Sequence, residues 1–299
     1  MNILNKMKTN YKYRRKLMGF LFIIPSMIVF LFFIFFPIVD SFRLSFYEWS
    51  IISPEKTYLG LQNYNEMFSD WRFWNSLRNT AYYAIGYVPV GVSLSLILAL
   101  LVNTKIKGRN FFRMTYFLPA IASMSVIAII WTFLLDPDIG IISYYLKLFG
   151  LNTYAWLRSV KWAMPAVILV GIWKNMGFNM VIFLAGLQGI SDMYYEAAEI
   201  DGANKWQQFI HITLPLLKPT MTFVVIMSVI TSFQVFDQVY VMTKGGPLFS
   251  TETLVQYIYH LGFENFQMGY AATIAYTLFI IIIIVTIFQL KYFKMDLDN

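Results

Sequence analysis

Residues 17–39 read LMGFLFIIPSMIVFLFFIFFPIV, 23 positions without a charge. A helix rises about 1.5 Å per residue, so about 20 apolar residues cover the roughly 30 Å of a bilayer core. The stretch is one membrane span. Before it stand Lys6, Lys8, Lys12, Arg14, Arg15 and Lys16, and after it Asp40. A cleaved signal peptide would carry a shorter apolar segment ending in small residues, whereas this one ends in Phe35, Phe36 and Pro37. The span is expected to be retained.

Working outward, uncharged apolar runs recur at 79–104, 114–135 and 265–290. Two more, 162–187 and 214–236, carry one lysine each, Lys174 and Lys218. Six helical spans follow, with both termini on one side: an all-α membrane domain over 17–291, with short tails at 1–16 and 292–299. Composition agrees, since 58% of residues are hydrophobic and 13% charged, against about a quarter charged in soluble domains. The connecting segments are too short for an independent soluble domain. The net charge of +7 does not point to nucleic acid, because the basic residues form no stripe and collect at the ends of apolar runs. With the N-terminus inside, the inner segments hold 14 Lys and Arg and the outer ones eight, Lys174 standing apart. The sharpest contrast is Lys105, Lys107, Arg109 and Arg113 in one short loop without an acid. Both termini are therefore expected in the cytoplasm.

Several chemistries are excluded. Cysteine is absent, and the two histidines, His211 and His260, are far apart and lack acidic company, so no disulfide, thiolate site, metal ligand set or nucleophile–base constellation is expected. No phosphate-binding Gly-x-x-x-x-Gly-Lys-Ser/Thr loop occurs. No catalytic residue, metal or cofactor is assigned.

Prolines and glycines punctuate most spans: Pro25, Pro37, Gly86, Pro89, Gly91, Pro119, Pro165, Gly171, Gly177 and Gly186. Two readings stand. Membrane helices tolerate such residues where neighbours satisfy the freed backbone groups, and bent helices can enclose a polar pathway that alternates between arrangements.

The most informative loop, 189–215, reads GISDMYYEAAEIDGANKWQQFIHITLP. By parity it is cytoplasmic, yet it carries Asp192, Glu196, Glu199 and Asp201 against one lysine. Ser191 or Asp192 can cap a helix, whose early acids suit its dipole. Gly202 can end that helix in a left-handed conformation. A second short helix from Asn204 presents Trp206, Phe209, Ile210 and Ile212, and Pro215 fits the first turn of the next span. A plain connector needs no two capped amphipathic helices. Such a knuckle is either a docking surface for a partner protein or an interfacial helix on lipid headgroups.

The spacing Glu196-Ala197-Ala198, three residues, Gly202, nine residues, Ile212, one residue, Leu214-Pro215 matches the "EAA" signature of bacterial ABC-importer permeases. The chain resembles their carbohydrate branch, the maltose and glycerol-3-phosphate type. The similarity runs over residues 17–291, through Asn63-Tyr64, Arg72-Phe73-Trp74, Asn79-Thr80, Gly108-Arg109, Phe111-Phe112-Arg113, Leu118-Pro119, Ile172-Trp173-Lys174, Gly177-Phe178-Asn179-Met180, Gly186-Leu187-Gln188, Ser232-Phe233, Phe236-Asp237 and Gly245-Gly246-Pro247. It implies the six-helix importer-permease fold, with the 189–214 loop inserted into a cleft of a separate ATPase. Glu196, Ala197, Ala198, Asp201, Gly202, Phe209, Ile212, Leu214 and Pro215 would form the coupling element. Ala197 and Ala198 allow close approach, Gly202 makes the turn, and Glu196 supplies a carboxylate.

Polar groups inside a span are disfavoured, by about 2.5–3.5 kcal/mol for Asp or Lys at its centre, so each is a candidate for a pathway. Lys174 lies mid-run, and Ser228, Thr231, Ser232, Gln234, Asp237 and Gln238 cluster within three turns. Helix–helix hydrogen bonds for the hydroxyls, and snorkelling or mutual pairing for Lys174 and Asp237, remain the plainer readings. The resemblance implies a substrate chamber walled by the fourth and fifth spans, at Trp173, Asn175, Phe178, Ser228, Ser232, Gln234 and Asp237. Rings that stack on C–H faces and amides that exchange hydrogen bonds suit a sugar.

The expected function is the permease of an ATP-driven importer for a sugar or oligosaccharide in a prokaryotic cytoplasmic membrane. A glycerol-3-phosphate or polyol permease is the alternative, followed by an ion-coupled secondary transporter, which the scarcity of carboxylates in the spans disfavours. The resemblance implies as partners a second, related permease, two ATPase subunits and an extracytoplasmic solute-binding protein docking on outer loops, including Gly245, Gly246 and Pro247.

Overall fold

The computed structural model describes residues 2–53, 55–104 and 108–293, with the backbone alone for 2–10 and 12. Lys105, Lys107, Lys294 and most of the 292–299 tail lie outside the described residues. The expected N-terminal tail is continuous with the first span: α1 (Asn2–Phe30) passes through one wide turn (Leu31–Phe35) into α2 (Phe36–Leu44). The wide turn has a local cause. Pro37 would press its ring on the carbonyl four residues back, and a turn with one extra residue relieves that clash. The same device precedes Pro215, where α10 (Lys205–Gln208) joins α11 (Leu214–Phe233) through a wide turn at Phe209–Thr213. The second knuckle helix and the fifth span are thus one continuous helix.

A two-stranded hairpin follows the first span, β1 (Tyr47–Trp49) against β2 (Lys56–Tyr58), with Glu48 opposite Thr57. It is a small exception to the all-helical expectation. Next come α3 (Gln62–Ser69) and the second span, α4 (Trp71–Asn103). The third run departs from a single span. It is α5 (Arg109–Ile121) and α6 (Met124–Leu134), bent by 99° at Ala122–Ser123. Pro119 lies in the last turn of α5, and both residues of the break are extended, with ψ 149 and 137. Among the described residues, five helices are long and apolar enough to cross a membrane, and counting the bent pair makes six. The rest are α7 (Ile141–Leu148), α8 (Ala163–Gln188), α9 (Asp192–Ile200), α12 (Asp237–Met242), α13 (Leu254–Tyr259) and α14 (Met268–Tyr292).

The core centres on α8, which packs on α4, α5 and α11. Three of its glycines explain how. A Cβ at Gly171 would strike the Tyr83 hydroxyl of α4, one at Gly177 would overlap the Tyr116 carbonyl of α5, and one at Gly186 would meet Thr220 and Leu217 of α11. Each marks a place where a neighbour comes in against bare backbone, as small residues allow between membrane helices. Gly177→Val is accordingly expected to lower the melting temperature of the purified chain, since overpacking costs about 1–3 kcal/mol or more. An unchanged melting curve would count against this account of the seat. The first span, by contrast, buries none of its apolar window against the rest of the chain.

At the hairpin end a polar network replaces apolar packing. The Arg72 guanidinium grips Glu252 with both edges, at 2.8 and 2.6 Å. Asn79 donates to the Phe249 and Glu252 carbonyls, and the Thr80 hydroxyl accepts from Leu254 N–H. Asp70 caps α4 through Arg72 N–H and accepts from the hydroxyls of Tyr257 and Tyr270. Burial and that carboxylate push the Tyr257 phenol up, so it stays a donor. The loop at 243–253 is thereby tied to the first turns of the second span.

Candidate functional site

The knuckle between α8 and α11 is built by local capping. Ser191 accepts from Met193 N–H and starts α9. Gly202 ends it at φ +79, with Ala203 N–H on the Ala198 carbonyl at 2.8 Å and Gly202 N–H on the Glu199 carbonyl at 3.1 Å. These two bonds satisfy carbonyls a helix end otherwise orphans. Asn204 and Gln207 then cap each other's backbone N–H at 2.9 and 2.8 Å. The Lys205 ammonium bonds Glu199 and holds its carboxyl below the usual range. Tyr195 and Thr213 share a hydrogen bond of 2.9 Å that fastens α9 to the base of the fifth span. A push on the knuckle therefore reaches α11 through both a continuous helix and a cross-brace.

Glu196, Ala197, Asp201, Gly202 and Pro215 are exposed, while Ala198, Phe209, Ile212 and Leu214 are half-buried. Phe209 and Ile212 therefore turn partly back towards the bundle, and Trp206 and Ile210 are the apolar groups the second helix offers outward. Met193, Tyr194 and Ile200, the last 87% exposed, extend that surface along α9. Sequence reasoning passed over them, although Met193 and Ile200 stand seven residues apart on one helical face.

The second feature is a cavity of about 250 Å³ where the fifth span breaks. The helix α11 stops at Phe233, Gln234 to Phe236 carry non-helical backbone, and α12 restarts at Asp237. Non-helical backbone at membrane depth is stable only inside protein or against a water-filled cavity, and here it lines one. Gln234, Asp237 and Gln238 join Thr231 and Ser232 on this wall. Lys174 and Asn175 of α8, Tyr83 and Tyr87 of α4, and Met124 at the break of the third span complete it. Gln238 donates to the Tyr83 hydroxyl at 2.6 Å, and Tyr83 and Tyr87 stack at 5.5 Å. Lys174 and Asp237 face the same cavity, yet neither has an opposite charge within 4.0 Å among the described residues.

Of the residues expected to form the pathway, Asn175, Ser232, Gln234 and Asp237 meet at this cavity. Trp173 instead packs edge-on against Trp131 at 5.5 Å and opens on a separate apolar groove with Tyr82, Val90 and Leu94. Phe178 is 53% exposed elsewhere. Ser228 is buried and accepts from the Asn179 amide at 3.4 Å. The tyrosines of α4 are among the cavity residues the sequence did not single out. Their one signal was the spacing of four, which sets both rings on one helix face.

In the loop at 243–253, Gly245 is left-handed at φ +82, and the Gly246 carbonyl accepts from the Thr251 hydroxyl at 2.7 Å. Pro247 leads into Leu248, which projects 86% exposed.

Residues 91–293 match the family described as binding-protein-dependent transport system inner membrane component. The chain is 39% identical over 285 residues to the probable ABC transporter permease protein YurN of Bacillus subtilis, covering 94% of this chain and 97% of that one. It is 33% identical over 290 residues to the trehalose/maltose transport system permease protein MalF of Thermococcus litoralis, covering 96% and 97%. In three dimensions it resembles a chain of a bacterial alginate ABC transporter solved with an alginate pentasaccharide-bound periplasmic protein. There the TM-score is 0.83 at 23% identity, over 93% of this chain and 94% of that one.

Proposed function

This chain belongs to the family of inner membrane components of binding-protein-dependent transport systems, and we propose that it is the permease through which an ATP-driven importer passes a sugar or oligosaccharide. The observation that carries the reading is the extent of the family match, which takes in both the break of the fifth span and the capped knuckle. Relatives named for sugars support the solute class.

The division of labour follows from the geometry. ATP is bound and hydrolysed on a partner, which grips the exposed face of α9 and the Asp201–Gly202 turn. Closure of that partner pulls the knuckle, and the Tyr195–Thr213 brace carries the displacement into α11, whose far end forms the cavity wall. A cavity of about 250 Å³ falls below the roughly 300–1,000 Å³ of most ligand sites, as half of a chamber shared with a second permease would. The N-terminus and the knuckle lie in the cytoplasm, with the positive charge, and the loop carrying Gly245, Gly246 and Pro247 meets the solute-binding protein on the other side. Residues 17–291 act as one permease domain. A phosphorylated polyol would suit Lys174 alone. Asp237 on the same wall cancels that cation and favours a neutral polyhydroxylated solute, whose hydroxyls can donate to the carboxylate and accept from the ammonium.

The test is co-purification of the tagged chain with its ATPase and second permease, followed by uptake of labelled sugars into proteoliposomes. ATP-dependent uptake of a neutral saccharide is expected. Uptake driven by an ion gradient without ATP would sink the reading. Gln234→Leu removes an unpaired hydrogen-bonding group from the wall at similar volume. It should slow uptake about two- to tenfold, for a hydrogen bond of about 0.5–1.5 kcal/mol, and leave the ATPase bound.

A further inference from the structure

Four aromatic rings leave the cavity in an unbroken series. Phe236, itself on the cavity wall, stacks on Tyr240 at 5.3 Å and meets Tyr259 at 5.2 Å. Tyr240 meets Tyr259 at 5.1 Å, and Tyr259 stacks on Phe263 at 5.4 Å. None of the four belongs to the apolar core clusters formed by the described residues. The first three are half-buried, and Phe263 is 59% exposed. Rings that only held α12 against α13 would be expected to sink into a core, whereas these pack on one another and keep faces open.

Polar groups lie on the same stretch of chain. Gln256 and Tyr259 stand three residues apart on α13, and a wide turn at His260–Glu264 carries His260 and Phe263. Gln256 is 4% exposed with its side-chain carbonyl oxygen unpaired, and His260 Nδ1 is likewise buried without a partner among the described residues. Buried polar atoms without partners are rare, and each calls for an explanation. Flat apolar rings with open faces match the C–H faces that a sugar presents between its hydroxyls.

We propose that Phe236, Tyr240, Tyr259 and Phe263 form a saccharide track that receives the solute at the mouth and hands it to the cavity. It rests on the sugar-import reading above and adds a binding subsite outside the cavity. A second permease lying over the same rings is the rival occupant. Continuity with the cavity favours the solute.

The test uses the full reconstituted complex with its binding protein, and as probe whichever neutral mono-, di- or trisaccharide the wild type imports fastest. Tyr259→Leu and Phe263→Leu keep apolar bulk but remove the flat face. Each should raise the half-saturating concentration about two- to tenfold, as loss of one aromatic contact does, with co-purification of the second permease unchanged. Tyr259→Phe keeps the ring and should import like wild type. Unaltered half-saturation in the leucine variants would overturn the track. So would loss of the second permease from them, which would assign the rings to that interface. A wild type that imports no saccharide would overturn the underlying reading as well, and is told apart from failure of the track alone by the wild-type measurement itself.

Discussion

Gly202→Asp is expected to abolish solute uptake while the chain still inserts at normal abundance. Gly202 sits at φ +79 with nothing within 4 Å of where a Cβ would stand, so no clash unfolds the turn. Aspartate and asparagine enter the left-handed region more readily than other side chains, and the conformational penalty stays near 1–2 kcal/mol. What changes is the surface shown to the ATPase, because Asp201 is already exposed beside it and a second carboxylate would be buried there unpaired. Stranding a charge in an interface costs about 2–5 kcal/mol, which at 1.4 kcal/mol per decade weakens docking by about 30-fold or more. Gly202→Asn has nearly the same shape without the charge and should retain most of the uptake. Co-purified ATPase and transport rates check both variants. Normal uptake in the aspartate variant would show that the turn is not gripped.

That prediction rests on features already legible in the chain. The Ser191 cap, the Gly202 turn and the Asn204 start of the second helix are each decided by a few neighbouring residues, so local chemistry sufficed. The spans were legible because membrane thickness imposes a length in one dimension. The bend of the third span was not. Pro119 precedes it, but Pro25, Pro89 and Pro219 lie within helices that continue past them, so proline alone does not encode a break. The cavity was half legible. Polar residues in apolar runs pointed to Lys174, Thr231, Ser232, Gln234, Asp237 and Gln238, and the family resemblance added Asn175. Facing and depth decided the rest. Trp173 stands about 200° around the helix from Asn175 at 100° per residue, so both cannot line one wall. Ser228 lies one turn, about 6 Å, from Ser232 along α11, and there it meets Asn179. Tyr83 and Tyr87 were passed over because tyrosines near a span's end are ordinary at a membrane interface. Only their contact with Gln238 and with each other sets them apart.

The second large effect is expected at Arg72. Its guanidinium holds Glu252, which is 2% exposed, and is itself sandwiched by Phe249 at 4.5 Å and Tyr257 at 4.8 Å. Arg72→Met preserves much of the stem but leaves the carboxylate buried with, among the described residues, only Ser76 for a side-chain donor, at 3.3 Å. Breaking a buried pair from one side costs about 3–5 kcal/mol, which for a chain of this size corresponds to a melting temperature lower by the order of 10 °C. Arg72→Lys should recover little, because a point charge cannot reproduce the two-edged grip. Arg72→Met combined with Glu252→Leu should recover most of the stability, since no unpaired charge remains. Stability and docking then separate. The Asn79 bonds to the Phe249 and Glu252 carbonyls survive in the double variant, so the 243–253 loop should keep its place and the solute-binding protein should still stimulate ATP hydrolysis. A double variant as unstable as Arg72→Met would refute the ion pair as the cause. One that is stable but deaf to the binding protein would show that the pair shapes the docking loop beyond what the backbone bonds can hold.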